Sequence, residues 1–127
     1  MSLRSDLGRV KGLGSAKEGL GHWRLQRLTA IALIPLTLWF VTSLMSLVTA
    51  PHAAAIAWIA KPYVTVLLLA LVLALFWHLK LGLQVVIEDY VHSPWLQITA
   101  QVGVRWAAAL GALLAIVSIL KISVGMN

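Results

Sequence analysis

Residues 62–87 read PYVTVLLLALVLALFWHLKLGLQVVI, and this stretch decides the fold class. An α-helix rises 1.5 Å per residue, so about 20 apolar residues cross the roughly 30 Å hydrocarbon core of a bilayer. The stretch is long enough for one crossing, and it contains few strongly polar side chains. Two further apolar runs, at about 28–50 and 104–124, have the same property. The sequence therefore predicts an all-α integral membrane protein with three transmembrane helices.

The composition supports a membrane protein and argues against a soluble one. Of the 127 residues, 61% are apolar and 11% are charged, whereas about a quarter of the residues are charged in ordinary globular proteins. The formal net charge is +6, but most of the basic residues precede the first apolar run. They are Arg4, Arg9, Lys11, Lys17, Arg24 and Arg27. Basic residues in that position indicate a cytoplasmic flank facing anionic lipid headgroups, so we expect no nucleic-acid partner.

The same charges predict the orientation. With the N-terminus in the cytoplasm, the inner flanks carry these N-terminal basic residues and Arg105, whereas the outer flanks carry Lys61 and Lys121. The excess of positive charge inside predicts an up-down-up topology with a cytoplasmic N-terminus. We therefore divide the chain into a basic N-terminal cytoplasmic arm, residues 1–23, and a three-helix membrane anchor domain, residues 24–127. Pro35 is expected to bend the first span gently.

Several kinds of chemistry are excluded by missing residues. The chain contains no cysteine, which rules out disulfides, iron–sulfur ligation and thiol attachment of haem. It also lacks the HExxH and GxSxG motifs and a phosphate-binding loop. We expect no cleavable signal peptide, because the apolar run after the basic region is too long for one. The isolated chain therefore has no recognisable catalytic set of its own.

His78 is the most informative residue of the spans. It lies about 15 Å from the cytoplasmic end of the second span, near the bilayer midplane, where an unbonded polar side chain is costly. Gly82 follows one turn later on the same face and leaves room for a flat macrocycle. The pair suits an axial haem ligand with a close approach of the ring. It also suits a histidine bonded to a neighbouring helix, with Gly82 as a small packing residue. The spacing alone leaves both interpretations open.

A second candidate site lies at the cytoplasmic end of the same helix. Asp89 falls within about 20° of the His78 face, with Tyr90 beside it, about 17 Å from the histidine. A tyrosine hydroxyl can donate to a quinone carbonyl, and a carboxylate can orient it or pass protons. Arg27, at the cytoplasmic mouth of the first span, could point at the same pocket. The simpler alternative is that Asp89 and Tyr90 only terminate the span and that Arg27 extends to lipid headgroups.

The remaining polar residues carry weaker signals. Three other histidines lie at or outside the predicted interfaces and have no partner at ligand spacing, so we expect them to be solvated. They are His22, His52 and His92. Lys80 points away from the His78 face, and Arg105 either extends to the cytoplasmic headgroups or pairs with Glu88 or Asp89. Because three helices with one buried histidine cannot enclose a haem, the chain is expected to be part of a larger assembly.

The sequence resembles a known family at these positions. Residues 78–91 read HLKLGLQVVIEDYV, and this resembles the signature HxxxGxxxxxxDY of the hydrophobic membrane anchor (D) subunit of succinate dehydrogenase. Residues 26–33, QRLTAIAL, are similar to the R-x-T-A pattern at the start of that family's first helix. The resemblance covers roughly residues 20–125, and the basic arm is most similar to alphaproteobacterial members.

The resemblance implies cofactors and partners. A second anchor, the cytochrome b556 (C) subunit, would share one haem b with this chain, and His78 would be the axial ligand, with Gly82 at the close approach. Asp89, Tyr90 and Arg27 would help to form the ubiquinone site beside the iron–sulfur subunit. Electrons from succinate would reach the quinone through the flavoprotein and iron–sulfur subunits, within the tricarboxylic acid cycle and respiratory chain. The implied location is a bacterial inner membrane rather than the mitochondrial inner membrane.

Three alternatives remain beside this interpretation. The chain could anchor a quinol:fumarate reductase, which is built on similar lines, since the direction of electron flow is not written in the sequence. It could be a purely structural membrane anchor without haem, in which His78 only packs. A small transporter is disfavoured, because inverted repeats and further charges inside the spans would be expected.

Overall fold

The computed structural model describes residues 6–7 and 18–126, and the fold is given for these. The chain between 18 and 126 forms four helices in sequence order. They are α1 (Glu18–Leu47), α2 (His52–Ile59), α3 (Pro62–Tyr90) and α4 (Pro94–Ser123). Three of them, α1, α3 and α4, are long and apolar enough to span a membrane. The prediction of an all-α protein with three transmembrane helices is confirmed.

The helices extend beyond the predicted spans. α4 begins at Pro94, about ten residues before the predicted start at 104, and α1 already begins at Glu18. Residues 18–23 of the predicted arm are therefore helical, and most of the remaining arm lies outside the described residues. Hydropathy detects only the apolar part of a helix, which lies in the hydrocarbon core. The helix itself continues into the polar interface as long as its backbone hydrogen bonds can form. α1 is also unbroken through Pro35.

Short connections join the helices at both ends of the bundle. Between α3 and α4 the polar turn is confined to residues 91–93, because Glu88, Asp89 and Tyr90 still belong to α3. At the opposite end, the connection after Pro51 is itself helical and forms α2. Prolines at the first helical positions of α3 and α4 explain their sharp starts, since proline has no N–H to leave unpaired there.

α3 is the central helix of the bundle. It packs against α1 on one side and α4 on the other, and α2 contacts both α3 and α4. All five buried residues of the described chain lie on α3. They are Val64, Thr65, Leu68, Leu71 and Leu81. α1 and α4 instead expose large apolar side chains, such as Ile34 and Leu114, each about 70% exposed. This surface requires lipid or another membrane subunit as its neighbour.

Thr65 ties three helices together at the end opposite the α3–α4 turn. Its hydroxyl donates to the Ile59 carbonyl at 2.8 Å, lies 3.2 Å from the Lys61 carbonyl and contacts the Ser123 hydroxyl at 3.1 Å. These residues belong to the end of α2, the start of α3 and the end of α4. A buried hydroxyl with this many partners fixes the relative heights of the three helices.

A glycine sets the distance between α3 and α4. A Cβ added at Gly111 would stand 2.6 Å from Cε1 and 3.0 Å from Cζ of Phe76. Real Cβ atoms do not approach an aromatic ring so closely, so the ring packs directly on the α4 backbone. Gly103 of the same helix has nothing within 4 Å of its Cβ position.

We predict that Gly111→Ala destabilises the protein by about 1–3 kcal/mol, because Phe76 or the whole of α4 must move to accept the methyl group. Thermal melting of the full-length protein in detergent measures the effect. Gly103→Ala is the matched control and should be neutral or slightly stabilising, since alanine favours the helix by about 0.5–1 kcal/mol. Equal melting temperatures for the two variants would contradict the packing described.

Candidate functional site

His78 forms a polar contact between α1 and α3 inside the apolar bundle. Its side chain is half-buried, and its Nδ1 lies 3.1 Å from Oγ1 of Thr29 on α1. The Thr29 hydroxyl also lies 2.8 Å from the Leu25 carbonyl and 3.1 Å from the Gln26 carbonyl. Along the α3 axis, His78 is about 18 Å from Tyr90 at the end of the helix. The histidine therefore has a bonded partner deep in the span, with its second ring nitrogen, Nε2, unused by any hydrogen bond of the described residues.

The surroundings of Gly82 leave space beside His78. A Cβ added at Gly82 would have one neighbour within 4 Å, the Nε2 of Gln26 at 3.7 Å, which is an ordinary contact. Packing within this chain therefore does not require glycine here. The other atom of that amide, Gln26 Oε1, is buried without a hydrogen-bond partner. Free space and an unpaired polar atom one turn from an imidazole fit a flat cofactor lying against this part of α3.

A cleft of about 500 Å³ opens between α1 and α3 on the α3–α4 turn side of His78. Its walls combine apolar and polar side chains. The polar ones are His22, Gln26, Gln84 and Glu88, and Trp23 adds an indole ring. A cleft of this size, with few polar groups on mostly apolar walls, is typical of small-molecule sites. His22, which the sequence analysis expected to be solvated, is exposed but belongs to the wall of this cleft.

Two amide side chains hold Glu88 in place. Its Oε1 accepts a hydrogen bond from Gln84 Nε2 at 2.9 Å and another from Gln101 Nε2 at 3.3 Å. Gln101 belongs to α4, so this carboxylate links α3 to α4 near the turn between them. Neither Glu88 nor Asp89 forms an ion pair with Arg105 in the described part of the chain. The pairing offered as one alternative for Arg105 is therefore absent there.

Asp89 and Tyr90 are the last two residues of α3. Both are exposed, and the Tyr90 side chain is 78% accessible. The Arg27 guanidinium lies over the Trp23 ring, 5.4 Å from its centroid. Within residues 18–126, no hydrogen bond or ion pair joins Arg27 to Asp89 or Tyr90. Arg27 is only two residues from Thr29, so its Cα lies nearer the level of His78 than that of Tyr90.

Lys80 and Arg105 face the opposite side of α3 from His78. The Lys80 ammonium lies 4.3 Å from the centroid of Trp77, one turn further from the α3–α4 turn. Both basic residues line a groove of about 360 Å³ between α3 and α4. The cation–π contact stabilises the Lys80 ammonium and directs it away from the α3–α4 turn.

Sequence reasoning found His78 but assigned no role to Thr29 or Gln26. Thr29 belongs to the R-x-T-A pattern and Gln26 immediately precedes it, and the two are polar positions three residues apart on one face of α1. That face could have been paired with the His78 face of α3. The rotation of α1 about its own axis, which brings the two together, is not encoded in the spacing of either helix alone.

Comparison with known proteins identifies the family of the chain. Residues 1–120 match the family model described as the succinate dehydrogenase/fumarate reductase transmembrane subunit. A protein of Rickettsia bellii named succinate dehydrogenase hydrophobic membrane anchor subunit is 35% identical over 102 residues, covering 80% of this chain and 82% of the relative. The protein of the same name from Rickettsia conorii is 35% identical over 89 residues, covering 69% and 71%.

No solved structure matches the chain. The match over nearly the whole sequence, the relatives' names and the three spanning helices lead to one conclusion. The chain belongs to the family of succinate dehydrogenase/fumarate reductase transmembrane subunits, and its relatives are hydrophobic membrane anchor subunits of succinate dehydrogenase.

Proposed function

We propose that this membrane anchor subunit helps to bind haem b and ubiquinone in succinate dehydrogenase, and so contributes to passing electrons from succinate to the quinone. The observation that carries the proposal is the position of His78, deep in a spanning helix with Nδ1 at 3.1 Å from Thr29 Oγ1. A histidine inside a membrane is a functional candidate by default, because an imidazole there is costly without a bonded or ligating role. Here one ring nitrogen has a partner and the other remains for a metal.

His78 would be the residue of this chain that holds the haem iron. One histidine of this chain is enough for that role, because the macrocycle itself also binds the iron. The second imidazole would come from the cytochrome b556 subunit, because the described part of this chain brings no other histidine beside His78. Gly82 would allow the close approach of the ring. A bound haem b supplies one-electron redox chemistry at this depth.

Tyr90 and Asp89 would serve the quinone at the cytoplasmic end of α3. The exposed Tyr90 hydroxyl can donate a hydrogen bond to a quinone carbonyl, and Asp89 beside it can orient that hydroxyl or pass protons from water. Arg27 would contribute positive charge from α1, at a height along the bundle between those of His78 and Tyr90. The α1–α3 cleft, with its amide and imidazole side chains, lies between these two levels and supports a polar route through an otherwise apolar bundle.

The assembly would contain three partners of this chain. The cytochrome b556 subunit would cover part of the apolar surface of α1 and α4, and the iron–sulfur subunit would lie against the Tyr90 end. The flavoprotein would oxidise succinate and pass electrons through the iron–sulfur subunit toward the quinone. The location would be a bacterial inner membrane, crossed three times with the N-terminus in the cytoplasm. The relatives' names favour succinate oxidation over fumarate reduction as the physiological direction.

His78→Ala is expected to remove most of the haem b band, by about tenfold or more, because the iron loses an axial ligand. A reduced-minus-oxidised difference spectrum of the purified complex, normalised to its flavin content, measures this. The matched control is His52→Ala, an exposed histidine at the opposite end of the bundle, which should keep the wild-type spectrum. An unchanged band in His78→Ala would show that His78 is not a haem ligand and only packs.

Tyr90→Phe is expected to slow succinate-dependent quinone reduction by about tenfold, the effect of losing one well-placed hydrogen bond. Reduction of an artificial dye, which takes electrons before the quinone site, should stay close to the wild-type rate. Tyr63→Phe changes the other tyrosine, near the opposite end of the same helix, and should affect neither rate. If dye and quinone rates fall together in Tyr90→Phe, the damage lies in assembly and the assignment of Tyr90 is wrong.

A further inference from the structure

The hydrogen of the Thr29 hydroxyl has an evident acceptor in its own helix. Oγ1 lies 2.8 Å from the Leu25 carbonyl, four residues back, and 3.1 Å from the Gln26 carbonyl. Carbonyl oxygens only accept hydrogen bonds, and a threonine hydroxyl has one hydrogen to give. Helical threonines commonly donate to the carbonyl four residues earlier. Thr29 therefore donates to its own backbone.

With that hydrogen used, Thr29 can only accept at its contact with His78. The 3.1 Å separation between Oγ1 and Nδ1 is then an Nδ1–H donating to a hydroxyl oxygen. In a neutral imidazole one nitrogen carries the hydrogen and the other carries the free lone pair. The opposite assignment would direct the Thr29 hydrogen to Nδ1 and leave two oxygen–oxygen contacts, at 2.8 and 3.1 Å, without any hydrogen between them.

We infer that Thr29 is a positioning residue for His78: its hydroxyl accepts the Nδ1–H and so holds the imidazole with the free lone pair on Nε2. This inference deepens the proposed haem-binding function and rests on it for its consequence at the metal. A ligating histidine needs its second nitrogen bonded to an acceptor, which fixes the tautomer and the ring orientation and raises the basicity of the ligand. No other hydrogen bond to His78 is present in the described residues, so the hydroxyl carries this task alone.

The chain supplies a matched control on the same helix. Thr42 makes the same pair of backbone contacts as Thr29, to the Leu38 and Trp39 carbonyls at 2.9 Å each. It is exposed, and its hydroxyl has no contact with a histidine. Replacing either threonine by valine keeps the shape and removes one hydroxyl from α1. The difference between the two variants isolates the contact with His78.

The test compares Thr29→Val, Thr29→Ser and Thr42→Val in the purified intact complex. We expect Thr29→Val to weaken haem retention about ten- to a hundredfold, the range for loss of such a supporting partner. The haem that remains should have a more positive midpoint potential, because a less basic imidazole stabilises oxidised iron less. Thr29→Ser and Thr42→Val should both keep haem retention and a midpoint potential close to those of the wild type. Equal behaviour of Thr29→Val and Thr42→Val, or failure of Thr29→Ser to preserve the wild-type values, would overturn the inference.

A haem-independent measurement separates this inference from the function on which it rests. The full-length protein labelled with ¹⁵N-histidine reports the tautomer by NMR in lipid, with the His78 signals assigned by their loss in His78→Ala. We expect the Nδ1–H tautomer in the wild type and a mixture in Thr29→Val. A wild-type Nε2–H tautomer would refute the role of Thr29. A wild-type complex without haem would refute the proposed haem function, whereas the tautomer would still decide the role of Thr29.

Discussion

Polar groups inside the hydrocarbon core of a bilayer need hydrogen-bond partners within the protein, and this requirement governs the structure. Every backbone group inside the bilayer needs a partner within the protein, so each crossing is one unbroken helix. Side chains obey the same rule. The hydroxyls of Thr42 and Ser118 bond back to their own helices, Thr65 joins the ends of α2, α3 and α4, and the imidazole of His78 meets Thr29. The last contact joins α1 to α3 at the level of the candidate site.

The contacts that could be predicted from the sequence are those within one helix. Hydropathy located three crossings, and the spacing from His78 to Tyr90 along α3 followed from helical geometry. The start of α4 at Pro94 and the helix α2 did not follow, because helices continue in polar interfaces where hydropathy gives no signal. Thr29 lies 49 residues from His78 in the sequence, and their contact depends on the rotation of two helices. The contact of Arg27 with Trp23, four residues earlier on α1, lies within one helix, but we did not predict it from the sequence.

The surface of the bundle explains why the chain acts within an assembly. Among residues 18–126, the buried positions are five residues of α3, and both flanking helices present apolar side chains outward. Lipid can cover such a surface, but the proposed haem would need a second imidazole from outside this chain. A second anchor that packs on this surface could cover the apolar side chains and also supply the second imidazole. His78 is half-buried rather than fully enclosed, which is compatible with the proposed sharing.

The most direct test is a reduced-minus-oxidised difference spectrum of the wild-type complex purified through a tag on this chain, with the co-purifying subunits identified by mass spectrometry. We predict a b-type haem band, one haem for each flavin, and three partners: a flavoprotein, an iron–sulfur protein and a second membrane anchor. A complex that contains the flavoprotein and both other partners but shows no haem band would contradict the central claim that His78 is a haem ligand.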